Sequence, residues 1–164
     1  MVPWKGQVTG WALAIAGLLL PAAPASAQQF QITQLTDVSF GTISSVATNR
    51  SASQTVCVYA SLGRYSITAR GSGASNAFTL GNTANSAQQL AYTVQWAFTG
   101  NQTTGTQLTA GQALSSPNSI NILCSLGGLL ASSASLIVTL PSANLSAAQA
   151  GSYTGILTLM VAPI

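Results

Sequence analysis

Apolar and polar residues alternate with period two along much of this chain, and no long stretch carries the 3.6-residue period of an amphipathic helix. Tyr65, Ile67 and Ala69 alternate with Ser66, Thr68 and Arg70, and Leu90, Tyr92, Val94, Trp96 and Phe98 alternate around Thr93, Gln95 and Thr99. Successive side chains of an extended strand point to opposite faces, so each apolar set buries one face and leaves the other to water. Shorter β-rich pieces are Val38–Ile43, Thr55–Ala60, Ala77–Leu80 and Ser135–Leu140. The segment Tyr153–Val161 ends in Ile156-Leu-Thr-Leu-Met-Val161, whose apolar density predicts burial on both faces. Turn residues separate the pieces at Gly71-Ser-Gly73, Gly81-Asn82, Gly100-Asn101, Ser116-Pro-Asn-Ser119 and Gly127-Gly128. A short helical turn is expected at Asn144–Ala150, capped by Asn144 and closed by Gly151. Strands in this number, with no linker between them, predict one all-β domain folded as a sandwich. Tyr153 follows the helical corner directly. It is either a tyrosine corner, with its hydroxyl bonded back to nearby backbone, or an ordinary half-buried strand aromatic.

The start of the chain reads differently. Lys5 precedes the apolar run Trp11–Leu20, and Ala25-Ser-Ala27 fits a small-residue cleavage pattern, so residues 1–27 are expected to be a secretory signal peptide. Pro21 and Pro24 interrupt the run before it is long enough to span a membrane, so no stable span is expected after cleavage. An exported chain meets an oxidising compartment, and the two cysteines, Cys57 and Cys124, then form one disulfide. Closing so long a loop stabilises the fold by about 4 kcal/mol through the unfolded chain's lost entropy.

Charge removes most chemistry from consideration. Only 3% of the 164 residues are charged; there is no His, the one acidic residue is Asp37, and beyond the signal the cations are Arg50, Arg64 and Arg70. A Ser or Cys nucleophile would have no His, Glu or Lys as base, and two-carboxylate hydrolysis lacks its second side chain. An enzyme is therefore not expected. Two Cys and one Asp cannot complete a metal site without His, and no cofactor motif is present, Gly71-Ser-Gly73 lacking the spacing of a phosphate loop. The net charge of +3 comes from scarce acids, not abundant bases, and does not make a nucleic-acid surface. Solubility rests on Ser, Thr, Asn and Gln, neutral groups that are cheaper to bury against another subunit than charges are.

Val38-Ser-Phe-Gly-Thr42 after a polar start, Thr55-Val-Cys-Val58, Leu90-Ala-Tyr-Thr-Val94 and the ending Ala150-Gly-Ser-Tyr-Thr-Gly-Ile-Leu-Thr-Leu-Met-Val-Ala-Pro163 together resemble the spore coat protein U domain family, which includes pilins of archaic chaperone-usher systems. The resemblance covers residues 38–163. It implies an immunoglobulin-like antiparallel sandwich over residues 38–164 that lacks its last strand. It further implies a secreted structural subunit of a pilus or surface coat, held by a periplasmic chaperone, assembled at an outer-membrane usher and joined to neighbouring subunits at the cell surface. Tyr153, Leu157, Leu159 and Val161 would then border an unpaired acceptor edge, to be filled by donor-strand complementation. Residues 28–37 are the donor-strand candidate, because Gln29-Phe-Gln-Ile-Thr33 alternates with Phe30 and Ile32 on one side. The same segment can instead pair as an ordinary first strand of its own sandwich. The alternative function is a secreted adhesin or carbohydrate-binding module. It would present Trp96, Tyr92, Tyr59 and Tyr65, or the loop Leu126–Leu130, at the surface, whereas strand spacing favours core packing for Tyr92 and Trp96.

Overall fold

The computed structural model describes residues 30–60, 64–116 and 133–164. Their strands, in chain order, are β1 (Phe30–Thr33), β2 (Arg50–Ala60), β3 (Tyr65–Gly71), β4 (Thr79–Asn82), β5 (Gln89–Ala91), β6 (Thr93–Ala97), β7 (Thr106–Gln107), β8 (Ala113–Ser115) and β9 (Ala134–Leu140). One short helix, α1 (Ser142–Ala147), precedes β10 (Tyr153–Thr154) and β11 (Leu157–Pro163). Every pairing is antiparallel. One sheet runs β1-β2-β9-β6-β7, and two three-stranded sheets run β11-β3-β8 and β10-β4-β5.

The alternation read from the sequence sets which faces meet. Val56 and Val58 of β2, Val94 and Trp96 of β6 and Leu136 and Val138 of β9 join Tyr65, Ile67 and Ala69 of β3 in one buried cluster. The five-stranded sheet and the sheet containing β3 therefore face each other across a shared core, an all-β sandwich. The loop after β6 bonds to the outer face of β9 at Ser135. Ser135 Oγ donates to the Thr99 carbonyl at 2.9 Å and accepts from the Gln102 N–H at 3.0 Å, and Ile137 beside it is only 2% exposed. Among the described residues three buried side-chain atoms have no hydrogen bond, the Tyr65 hydroxyl, the Trp96 indole nitrogen and the Arg50 Nε. Burial pushes the Tyr65 pKa up to about 12, the nearby Trp96 N–H opposing this by a smaller amount.

Several expectations change once neighbours are in place. Val38–Ile43 forms no strand: residues 35–48 make no backbone-to-backbone hydrogen bond with any described residue, although Phe40 and Ile43 pack on the core. A β-prone sequence becomes a strand only when another strand satisfies its amides and carbonyls. Gly81-Asn82 closes β4 instead of making the turn. The turn follows, organised by the Asn82 Oδ1, which accepts the N–H of Ala84 at 2.9 Å and of Asn85 at 3.2 Å. The helix begins at Ser142, earlier than expected, and its first amide is bonded by Asn49 Oδ1 at 2.8 Å, while Asn144 lies within the helix and bonds the Ala91 carbonyl. The expectation that Ile156–Val161 is buried on both faces is also corrected, since Ile156 is 70% and Met160 40% exposed. The signal peptide, Cys124, the Ser116–Ser119 turn beyond Ser116, Gly127-Gly128 and the Leu126–Leu130 loop lie outside the described residues.

Candidate functional site

The last strand has a neighbour on one side only. β11 pairs with β3 in the register Leu157↔Gly71, Leu159↔Ala69 and Val161↔Ile67, and among the described residues nothing pairs with its other edge. An edge strand presents a row of backbone N–H and C=O groups that another strand can bond. Leu157, Leu159 and Val161 point toward the core and touch its buried cluster, yet all three remain only half-buried. Their partners on β3 show what a second neighbour does, since Ala69 and Ile67 are both 0% exposed. The edge is thus incomplete in two respects, with unbonded backbone and a row of apolar side chains at strand spacing lacking cover. Neither β1 nor β11 carries a formal charge, so a strand arriving here would meet an apolar, neutral surface.

Tyr153 stands apart from the other three acceptor candidates. It lies on β10, where it pairs with Asn82 of β4, and Gly155 and Ile156 separate it from β11. Its hydroxyl donates to the Gln149 carbonyl at 2.9 Å, four residues upstream. Of the two readings open for Tyr153, that bond matches the tyrosine corner, and it ties the turn from α1 to the last strands. Of the four acceptor candidates, Leu157, Leu159 and Val161 therefore lie on the edge strand β11, with Tyr153 on the approach to it.

The donor candidates Phe30 and Ile32 occupy the chain's own sandwich. β1 pairs with β2 in the register Phe30↔Ala60 and Ile32↔Val58, and both side chains pack, partly buried, on the common core. Of the two strand-pairing roles open to this segment, the structure displays the internal one. β1 also runs close to β11 without bonding to it, their Cα atoms approaching within 8 Å. Thr33 of β1 faces Cys57, which is fully buried and not a free thiol; its expected partner, Cys124, lies outside the described residues.

The aromatic residues that might have formed a ligand platform are mostly interior. Trp96 and Tyr65 are 0% exposed and Tyr92 6%, while Phe78 stacks on Tyr92 at 5.7 Å between ring centres. Tyr59 alone of the four is half-exposed. Among the described residues no group of three His, Cys, Asp or Glu gathers that could hold a metal. None of their helices is long and apolar enough to cross a membrane. The signal that sequence reading missed is the pairing-free stretch 35–48. Its mark in the sequence is a β-prone Val38–Ile43 segment between two polar, Ser- and Thr-rich flanks.

No protein-family model matches the chain, and no curated protein matches it significantly. Among solved structures, it is similar to a chain from work described as "Chaperone-tip adhesin complex is vital for synergistic activation of CFA/I fimbriae biogenesis", with a TM-score of 0.55 and 18% identity. That similarity covers 82% of this chain and 42% of the other, so the chain spans less than half the length of that solved relative. At this identity the likeness establishes the fold, an antiparallel all-β sandwich of the kind built by a protein of a fimbrial chaperone–adhesin complex.

Proposed function

We propose that the chain is an exported structural subunit of a pilus or surface coat, joined to its neighbours by strand addition at the free edge of β11. The observation that carries this reading is the half-covered row Leu157, Leu159 and Val161 on a strand with one neighbour among the described residues, while Ala69 and Ile67, the β3 partners of Leu159 and Val161, are fully buried. Main-chain bonds from an added strand would satisfy the edge, and alternate apolar side chains would seat against that row. A periplasmic chaperone would hold the edge before assembly and an outer-membrane usher would guide the exchange. The fold shared with a fimbrial chaperone–adhesin complex and the spore coat protein U resemblance support those partners. The role is structural and involves no catalysis or cofactor. Export brings with it cleavage after Ala27 and a Cys57–Cys124 disulfide, checked by intact mass and by non-reducing peptide mapping. The alternative of a carbohydrate-binding module loses most of its aromatic platform to the core.

Leu159→Asp tests the reading. Leu159 is half-buried at an edge, so the variant is expected to fold, with unchanged far-ultraviolet circular dichroism, and to be excluded from polymer when produced with the parent chain. Incorporation at the parental level would contradict strand addition at β11.

A further inference from the structure

β1 combines three features found together nowhere else among the described strands. It is an edge strand of four residues whose inward side chains, Phe30 and Ile32, are only partly buried. It ends at Gln34, a non-glycine residue with φ of 67°, a left-handed conformation in which the chain changes direction. The chain beyond it is tied to the sandwich by side chains: the Gln54 Oε1 accepts from the Thr36 N–H at 2.9 Å and hydroxyl at 2.8 Å, and the Gln54 Nε2 donates to the Thr36 carbonyl at 3.1 Å. A short strand on a tether without backbone pairing can leave as a unit, because few cooperative bonds break with it.

Its position relative to β11 gives that mobility a consequence. Phe30 pairs with Ala60 just before the connection to β3, and Pro163 pairs with Tyr65 just after it, so β1 and the Val161 end of β11 lie at the same end of the sandwich. A strand inserted between two others needs them about 9.5 Å apart, twice the spacing of hydrogen-bonded strands. β1 and β11 approach within 8 Å, which leaves no room for a strand between them there. We infer that β1 is a gate held in place by its own β2, closing the Val161 end of the acceptor edge in the free chain, and that a second copy of this chain opens it by pairing its own β1 with β11. The occupant is chosen by chemistry on the page: Phe30 and Ile32 repeat at the two-residue spacing of Leu157, Leu159 and Val161, and both strands are uncharged. The inference rests on the strand-addition reading and adds to it that acceptance requires release of the resident strand.

Gln31 and Tyr59 are direct cross-strand partners, and Gln31 is exposed, so a Gln31→Cys/Tyr59→Cys pair can staple β1 to β2. The control carries Gln31→Ser and Tyr59→Ser, which cannot cross-link. Both full chains, after their fold is checked by circular dichroism, are titrated with a synthetic peptide of sequence Gln-Phe-Gln-Ile-Thr labelled with a fluorophore. The gate predicts that the control binds the peptide and the oxidised staple weakens binding at least tenfold. Equal binding by the stapled and control chains would overturn the gate while leaving the acceptor edge intact. No binding by the control would remove the acceptor edge itself, and the gate with it.

Discussion

β9 and β11 are both seven-residue strands with apolar residues at alternate positions, yet they have opposite environments. β9 lies between β2 and β6, and every residue from Ala134 to Val138 is buried; among the described residues β11 has only β3, and none of the residues of β11 is buried. The difference lies in neighbours, not in hydrophobicity, since Leu157, Leu159 and Val161 are as apolar as Leu136, Val138 and Leu140. β9 has a strand on each side, the core on one face and, at Ser135, hydrogen bonds with the loop after β6 on the other. β11 has the core on one face and, among the described residues, no strand bonded to one edge. A strand that keeps an apolar row half-covered in a fold able to bury its counterpart completely has the form of an interface awaiting a partner.

The largest expected effect breaks the closed side of this comparison. Leu136 is 3% exposed, so Leu136→Ala should destabilise the chain by about 2–5 kcal/mol in urea unfolding, through lost transfer energy and the cavity left behind. Alkaline pH should strain the same core. Tyr65 has its folded pKa raised to about 12 from an ordinary value of 10, so the folded state retains a proton that the unfolded chain releases. Its contribution is complete below pH 10 and disappears as pH rises toward 12, a loss of about 3 kcal/mol that Tyr65→Phe should abolish. Acid has little to titrate, with Asp37 the one carboxyl side chain, so unfolding midpoints measured from pH 9 to 12 should vary more than those from pH 5 to 9.

The open side should respond more weakly in the free chain. Leu159→Ala removes a half-buried side chain and should cost about 1–1.5 kcal/mol of monomer stability, while impairing assembly far more than Leu136→Ala does at matched folding. Smallest is Tyr153→Phe. Losing one exposed hydroxyl bond to the Gln149 carbonyl should cost about 1 kcal/mol or less and leave β11 pairing with β3 unchanged in amide exchange.

The sequence made legible whatever depends on one face of a strand. Tyr65, Ile67 and Ala69, and Val94 and Trp96, are buried as their alternation requires, while for Tyr153 the sequence left two readings open and the bond to the Gln149 carbonyl chose the corner. What it left illegible depends on which strands become neighbours. Two-sided burial was expected for Ile156–Val161 on apolar density, but the structure gives it to Leu136-Ile137-Val138, on a strand that lies between β2 and β6 and whose Ser135 is bonded by the loop after β6. Val38–Ile43 carries strand propensity and has no strand partner among the described residues. The β2 strand begins at Arg50, before the apolar residues announce it, because Ser51 and Ser53 face outward and Ala52 is small. Of the candidate site, Leu157, Leu159 and Val161 lie on one edge strand, whereas Phe30 and Ile32 pair with β2 in their own sandwich.

Amide hydrogen exchange, measured on the free chain and on its assembled form, tests the central claim most directly. Alternate amides of β11 face the open edge, so the account predicts fast exchange at those positions in the free chain and strong protection after assembly, with β9 protected throughout. Protection of β11 equal to that of β9 in the free chain, or exchange at β11 unchanged by assembly, would contradict it.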